Sequence, residues 1–186
     1  MTGGCTISKQ GTGEDQKVSI EAPGASVRVD TGAAANDSGI AAYPGAREKH
    51  GKEDDPNRAH VNVSTPFLKL KVVKMTFTSD DAPEKILAFY RNKLGSYGTV
   101  VECKDSDQDV EIASGRGLDS PVTCGKVVPM APTTTIGGET SLKVGTEGNQ
   151  HLVSVKPSGK GSEFELIWVY LSSAKGDDDY GGKQPS

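Results

Sequence analysis

The sequence predicts an α+β fold in which an antiparallel sheet carries one main helix on one face, with an N-terminal β-hairpin segment beside it. Three observations support this prediction. Short runs in which apolar and polar residues alternate are typical of strands, and they occur on both sides of one segment with helical periodicity. Turn residues separate these runs, and the elements follow in the order β–β, then α, then several β, which favours a helix packed on an antiparallel sheet.

The first strand-like elements lie in residues 17–30, KVSIEAPGASVRVD. Val18 and Ile20 alternate with polar residues, and Val27 and Val29 do so again after a Pro-Gly pair. Because a Pro-Gly pair marks a turn, this segment is predicted to be a β-hairpin or two short strands.

Two further strands are predicted in residues 59–64 and 67–79. The second run alternates apolar residues with lysines, as on the solvent face of a strand, and its alternation changes phase at Val72-Val73. A bulge near Val73 would account for this change.

The clearest element is a helix in the run DDAPEKILAFYRNKLG. Asp81 is predicted to be its N-cap and to form a capping box with Glu84, Pro83 lies in the first turn, and Gly95 is predicted to be the C′ residue. The apolar residues at helical spacing are interpreted as core packing rather than as a cofactor site. They are Ile86, Leu87, Phe89, Tyr90 and Leu94.

Strand-like runs return after the helix. They occupy residues 96–103, a short stretch at 110–112, and residues 152–155 before a turn at 157–159. Residues 164–171 form the most apolar run of the chain and are predicted to be a central strand.

The composition indicates one compact core with polar flanks. Only 34% of the 186 residues are hydrophobic, and the chain contains 23 glycines and 10 prolines, so it is less apolar than a domain of this length usually is. The predicted division is a disordered tether at 1–16, a hairpin segment and linker at 17–39, an α+β domain at 40–173 and a disordered tail at 174–186.

The three cysteines indicate an oxidising compartment. Cys103 and Cys124 lie beside strand-like runs and are predicted to form a disulfide, with two free thiols as the alternative. Cys5 is then left over. The two glycines before Cys5 fit the small positions of a lipidation motif, although Thr2 does not fit its apolar position, and Cys5 is a candidate lipidation site.

The net charge and the hydropathy of the chain argue against several classes of protein. The net charge of −4 argues against a protein that binds nucleic acid or an anionic membrane, since such proteins carry a basic face. No run approaches 18 apolar residues, and the first 15 residues lack the features of a signal peptide. The chain is therefore either cytoplasmic or exported and beginning after its leader, and its cysteines and polar composition favour the second interpretation.

Three segments of the sequence together resemble a known group of proteins. They are AAYPGARE, the run FLKLKVVKMTFTSDDAPEKILAFYRNKLGSYGTVVEC, and NQHLVSVKPSGKGSEFELIWVYL. Together they resemble a group of uncharacterised envelope proteins from Acidobacteria-like bacteria, which share a YPGA turn, an FYR helix and a cysteine-bearing strand. The resemblance covers residues 38–172. It implies an exported α+β domain and supplies no catalytic residue.

Two metal sites and one pocket are candidates. The acidic run of residues 105–111 resembles the start of a calcium loop, but it lacks the Gly and Glu of an EF-hand, so only a site of another kind is considered, against a hydrated acidic loop. His60 and His151, with loop acids, are the candidate ligands of a hydrolytic metal, although no pair of histidines has a ligand spacing. The candidate calcium ligands are Asp105, Asp107, Asp109 and Glu111. The candidate pocket residues of a small-ligand binder are Tyr90, Tyr97 and Trp168, for which a position in the core is the favoured interpretation.

The sequence thus predicts a non-enzymatic cell-envelope protein of the periplasm, outer-membrane surface or extracellular space. It is expected to be a binding or assembly module without a cofactor, with itself or another envelope protein as partner, no nucleic acid, and membrane contact only through a lipid anchor. Residues 17–30 are the candidate for self-association, because a short β element can add to a neighbour's sheet edge. A metal-dependent hydrolase or a calcium-binding envelope protein is the alternative.

Overall fold

The computed structural model describes residues 5–11, 16–31, 38–49, 58–104, 117–124 and 139–173. These ranges contain ten strands and one α-helix. Before the helix come β1 Thr6–Gln10, β2 Lys17–Ala22, β3 Ala25–Asp30, β4 Arg47–Glu48, β5 Arg58–Ser64 and β6 Leu68–Ser79. After the helix α1, Pro83–Leu94, come β7 Val101–Lys104, β8 Thr140–Thr146, β9 Asn149–Ser158 and β10 Gly161–Ser173.

All ten strands join one antiparallel sheet. Its order is β1-β2-β3-β5-β6-β10-β9-β8-β7, and the short β4 pairs with β6 as well. The long strands β6 and β10 form the middle and pair without a break from Leu68↔Ser173 to Ser79↔Ser162. The prediction of a central strand over residues 164–171 is therefore confirmed.

The helix covers only one end of this sheet. Its buried residues pack on β6, β8, β9 and β10 and leave β1, β2, β3 and β5 outside the core. A mostly antiparallel sheet with one helix is thus confirmed, but the sheet is much larger than the expected partner of a single helix. The buried core consists of Ile40, Met75, Phe77, Ile86, Leu87, Tyr90, Leu94, Leu142, Val144, Val153, Val155, Phe164 and Leu166.

The segment before β4 is anchored to this core. Ile40 is buried in it, and the ring of Tyr43 packs edge-on against Phe89 and Phe164, with centroids 5.1 and 6.3 Å away.

The predicted bulge near Val73 is wrong. β6 pairs in continuous register with β5 on one side and with β10 on the other. Successive side chains of a strand point to opposite faces. The phase change at Val72-Val73 therefore marks the position at which the apolar face of β6 passes from one side of the sheet to the other.

Both predicted helix caps are wrong. The N-cap residue is Ala82, which makes no side-chain cap, and Gly95 has a right-handed φ of −57° rather than the expected left-handed one. The Asp81 carboxylate instead accepts hydrogen bonds from the Tyr43 hydroxyl at 2.9 Å and from the Lys85 ammonium group at 2.8 Å. The Asp81 side chain therefore binds the Tyr43 and Lys85 side chains instead of a backbone N–H group of the first helical turn.

The predicted hairpin is confirmed, and it belongs to the main sheet. β2 and β3 flank a turn in which Gly24 has a φ of +80°, a conformation that favours glycine. β3 pairs in turn with β5.

The predicted disordered tether is wrong over Thr6–Gln10, which form β1 and pair with β2. All five of these residues are exposed. Backbone hydrogen bonds rather than burial therefore hold β1, which explains why its sequence lacks a clear strand pattern. The predicted short strand at 110–112 and the predicted tail at 174–186 lie outside the described residues.

Candidate functional site

The Cys103–Cys124 disulfide is confirmed. The two Cα atoms lie 5.3 Å apart, within the span of such a bond. Cys103 lies on β7 and is buried, so the bond fastens the 117–124 segment to the edge of the sheet. Cys5 is a free, exposed thiol directly before β1.

One face of the large sheet carries two rows of aliphatic side chains. Directly paired residues of an antiparallel sheet lie on the same face, so the rows follow from the register. The first row is Ile7, Ile20, Val27, Val63, Leu70 and Leu171, and the second is Val18, Val29, Val61, Val72 and Val169. We call these residues the aliphatic band.

The aliphatic band lies opposite the helix. Every sheet residue in the helix-covered core belongs to the other face, and α1 is the one helix within the described ranges. Ile7 is 70% exposed, Ile20 is also exposed, and most other members of the band are half-buried. The first row crosses six strands, and with about 4.8 Å between strands it is about 24 Å long.

The reverse of the aliphatic band is polar. The residues paired across it include Ser19, Arg28, Asn62 and Lys71, which share one row. Ion pairs at this end of the sheet, such as Lys17 with Asp30 at 3.0 Å, are exposed to solvent. The N-terminal half of the sheet therefore has one polar, solvent-exposed face and one apolar face.

A second candidate site lies where this polar face meets the helix-covered core. The His151 ring lies between two aromatic rings, with centroids 4.5 Å from Tyr97 and 6.2 Å from Trp168. The Lys71 ammonium group lies 4.6 Å from the centroid of the Trp168 ring, within cation–π distance. We call Tyr97, His151 and Trp168 the aromatic cluster.

A cleft of about 350 Å³ opens beside the aromatic cluster. The β8–β9 turn forms one wall and requires close backbone approach: a Cβ on Gly145 would lie 2.2 Å from the Asn149 carbonyl oxygen. The Asn149 side chain accepts a hydrogen bond from the Trp168 indole at 2.9 Å, which links that wall to the cluster. The residues that line the cleft include Tyr97, Asp119, Thr146, Asn149, His151 and Tyr170.

Burial lowers the pKa of His151, which favours its neutral form. The Tyr97 hydroxyl donates a hydrogen bond to the Gly39 carbonyl, and this bond fixes the ring at the rim of the cleft. Tyr97 is nevertheless 47% exposed, so part of the ring stays available to a ligand.

Of the three candidate pocket residues, Tyr97 lines the cleft, Trp168 lies beside it, and Tyr90 is in the core, as its helical spacing predicts. Tyr97 and Trp168 flank His151, but Tyr90 is buried in the core and its hydroxyl donates to the Ala41 carbonyl at 3.3 Å. Burial raises the pKa of Tyr90. Asn149 and Asp119 were not expected at this site, because only the chain fold brings them to it.

The candidate metal ligands do not come together. His60 and His151 lie in one cross-strand row with β6 and β10 between them, which places them about 14 Å apart. A zinc ion binds its ligands at about 2 Å, so one ion cannot hold both. No group of three metal-ligating side chains occurs within the described ranges, and the candidate calcium residues 105–111 lie outside them.

None of the described segments forms a helix long and apolar enough to cross a membrane. No family model, curated protein or solved structure matches the chain. The resemblance to bacterial envelope proteins stays a prediction, and function is argued from the two surfaces.

Proposed function

We propose that this protein is a non-enzymatic assembly module of the bacterial cell envelope that associates with a second copy of itself through the aliphatic band. The aliphatic band is the observation that carries the proposal. At roughly 300 Å², the band is comparable in size to the largest apolar patch of a typical monomeric protein, and such patches are often interaction sites.

A second copy suits the band in shape and charge. Lys9 extends the second row at the outer edge, and the band itself contains no charged side chain that would select a charged partner. Two such flat surfaces can stack about 10 Å apart, as the sheets of a β-sandwich do. A two-fold dimer needs only one self-complementary patch.

The face of residues 17–30, rather than strand exchange, carries the contact. β2 already pairs with β1 and β3, and β3 pairs with β2 and β5, so neither strand has an open edge. At the open edge, Lys9 of β1 disfavours edge-to-edge pairing.

The dimer is expected to be weak. Two rows about 24 Å long cover roughly 300 Å² in projection, well below the accessible area of about 800 Å² that each partner buries in a standard interface. A dissociation constant on the order of 10 µM is expected for so small an interface.

Sedimentation velocity from about 1 to 500 µM tests the proposal, since this range spans the expected dissociation constant. The wild-type protein should pass from monomer to dimer, and Val63→Lys should remain monomeric. Ser64→Lys is the matched control, because Ser64 is the next residue of β5, is exposed and faces the polar side. A wild-type monomer over the whole range, or a dimer that Val63→Lys does not weaken, would contradict the proposal.

Export is part of the same proposal. The disulfide is compatible with an oxidising compartment outside the cytoplasm. A lipid on Cys5 would hold the sheet edge close to the membrane, because β1 begins at the next residue. Intact mass of the protein isolated from its native envelope should show the lipid, and an unmodified mass would exclude the anchor.

A further inference from the structure

We infer that the cleft beside the aromatic cluster binds a ring of an uncharged saccharide. Of the described residues that line this site, only Leu171 belongs to the aliphatic band, and the site does not depend on the proposed dimer. The inference rests on the partial exposure of the rings, on the polar groups that converge beside them, and on the balance of charge at the cleft.

The aromatic cluster offers the apolar part of such a site. Tyr and Trp present large rigid ring surfaces together with a polar tip, a combination that suits ligands with both C–H and hydroxyl groups. The cluster lies at the margin of the core, where Tyr97 is 47% exposed and Trp168 and His151 are half-buried. A sugar ring has one face of C–H groups that can pack on an exposed aromatic ring.

Polar side chains supply hydrogen bonds at the same cleft. Asn149 uses its carbonyl oxygen to accept from Trp168, which orients its NH₂ group as a donor. The exposed Asp119 carboxylate can accept from hydroxyl groups, and the Thr146 hydroxyl both donates and accepts. Alternating donors and acceptors match the hydroxyl groups of a sugar.

The charges and the volume narrow the ligand class. An anionic ligand would meet the Asp119 carboxylate in the cleft, and a cationic ligand would meet the Lys71 ammonium group at the neighbouring Trp168 ring, outside the cleft lining. The volume of about 350 Å³ lies at the small end of ligand pockets, which fits one or two sugar rings rather than a larger cofactor.

Trp168 is the single tryptophan of the chain, so its fluorescence reports directly on this site. Titrations with chitotriose and with maltotriose test a sugar with and a sugar without acetamido groups, and glycerol at the same concentration controls for a solvent effect. At least one sugar should give a saturable change in Trp168 emission. The inference is overturned if neither sugar does, or if glycerol gives the same change.

Variants of Tyr97 separate binding from structure. Tyr97→Ala should weaken sugar binding about fivefold, as expected for the loss of one aromatic contact. Tyr97→Phe keeps the ring but loses the hydrogen bond to Gly39, and its affinity should stay within about twofold of wild type. Unchanged binding by a folded Tyr97→Ala would overturn the inference.

If Tyr97→Ala does not fold, a substitution at an exposed residue of the cleft tests the inference instead. Asp119→Ala changes a surface residue and should weaken binding about tenfold, since a hydrogen bond to a charged group is lost. Glu84→Ala, at an exposed position of α1, is the matched control and should bind as wild type does. Val63→Lys should also bind normally, so a failed dimer would leave this result intact.

Discussion

Val72 and Val73 are consecutive residues of β6 that lie on opposite faces of the sheet, and the buried side of the strand changes between them. Val72 belongs to the aliphatic band and is partly exposed. Val73 is 0% exposed on the side of the helix, where Met75 and Phe77 continue the apolar surface into the core. The sheet therefore has two apolar surfaces on opposite sides, of which α1 covers one.

Threonine substitutions at these two positions should have unequal effects on stability. Threonine keeps the shape of valine but has a hydroxyl group in place of one methyl group, which costs about 1–3 kcal/mol when it is buried without a partner. Val73→Thr should lower the free energy of unfolding by that amount, whereas Val72→Thr should change it by less than about 0.5 kcal/mol. Urea unfolding at about 1 µM, below the dissociation constant proposed for the dimer, measures both. Equal losses would show that the two faces are equally buried.

Loss of the disulfide should destabilise the protein. For a closed loop of about 20 residues, chain entropy predicts a contribution of about 3 kcal/mol. The Cys103→Ser, Cys124→Ser double variant should lose about this much in urea unfolding. Cys5→Ser is the control, and its stability should match wild type because Cys5 is free and exposed. Equal stability of the double variant and wild type would contradict this account.

His151 should make stability depend on pH. Its pKa in the folded protein is lowered from 6.5 by burial, so the unfolded chain binds a proton more readily. Between these two pKa values the unfolded state holds more protons, and stability falls as the pH drops below about 6.5. The Tyr97 and Trp168 rings face this ring, and burial is the cause of its lowered pKa.

The measurement is the free energy of unfolding at pH 7.5 and at pH 5.5. Wild type should lose more stability than His151→Gln over this interval, since glutamine does not titrate. His60→Gln is the control and should retain the wild-type loss, because His60 lies three strands away from His151. If His151→Gln and wild type show the same pH dependence, burial of His151 is not its cause.

The sequence located most elements but not their arrangement. Val18 and Ile20 alternate with polar residues, as do Val27 and Val29, and this pattern predicted two paired strands. A period of two can be recognised locally in the sequence. The apolar face of these two strands continues over Val63 and Leu70. This continuation depends on the register between strands that are distant in the sequence. A local pattern does not contain that register, so the aliphatic band was not foreseen.

A prediction from local sequence was also wrong where a residue binds a partner that is distant in the sequence. Asp81 has the right type and spacing for an N-cap, yet it binds Tyr43, a residue distant in sequence. The helical spacing of Tyr90, in contrast, correctly predicted a ring in the core. Tyr97 lines the cleft and Trp168 lies beside it, and His151 joins them only because β9 pairs with β10.

A serine at position 82 should stabilise the protein. Ala82 has the extended backbone of an N-cap (φ −65°, ψ 152°), is exposed, and has no side-chain oxygen for the free N–H groups of the first turn. Ala82→Ser supplies that oxygen and should add about 1 kcal/mol to the free energy of unfolding, or about 2–4 °C in melting temperature.

Ala88→Ser is the matched control, because Ala88 is exposed in the interior of the same helix. There serine cannot cap and has a lower helix propensity than alanine, so this variant should lose about 0.5 kcal/mol. Thermal unfolding of the two variants and wild type measures the difference. Opposite signs at positions 82 and 88 are expected only if the helix begins after an uncapped Ala82. Destabilisation by both would mean that Asp81, as its sequence position suggests, is the cap in solution.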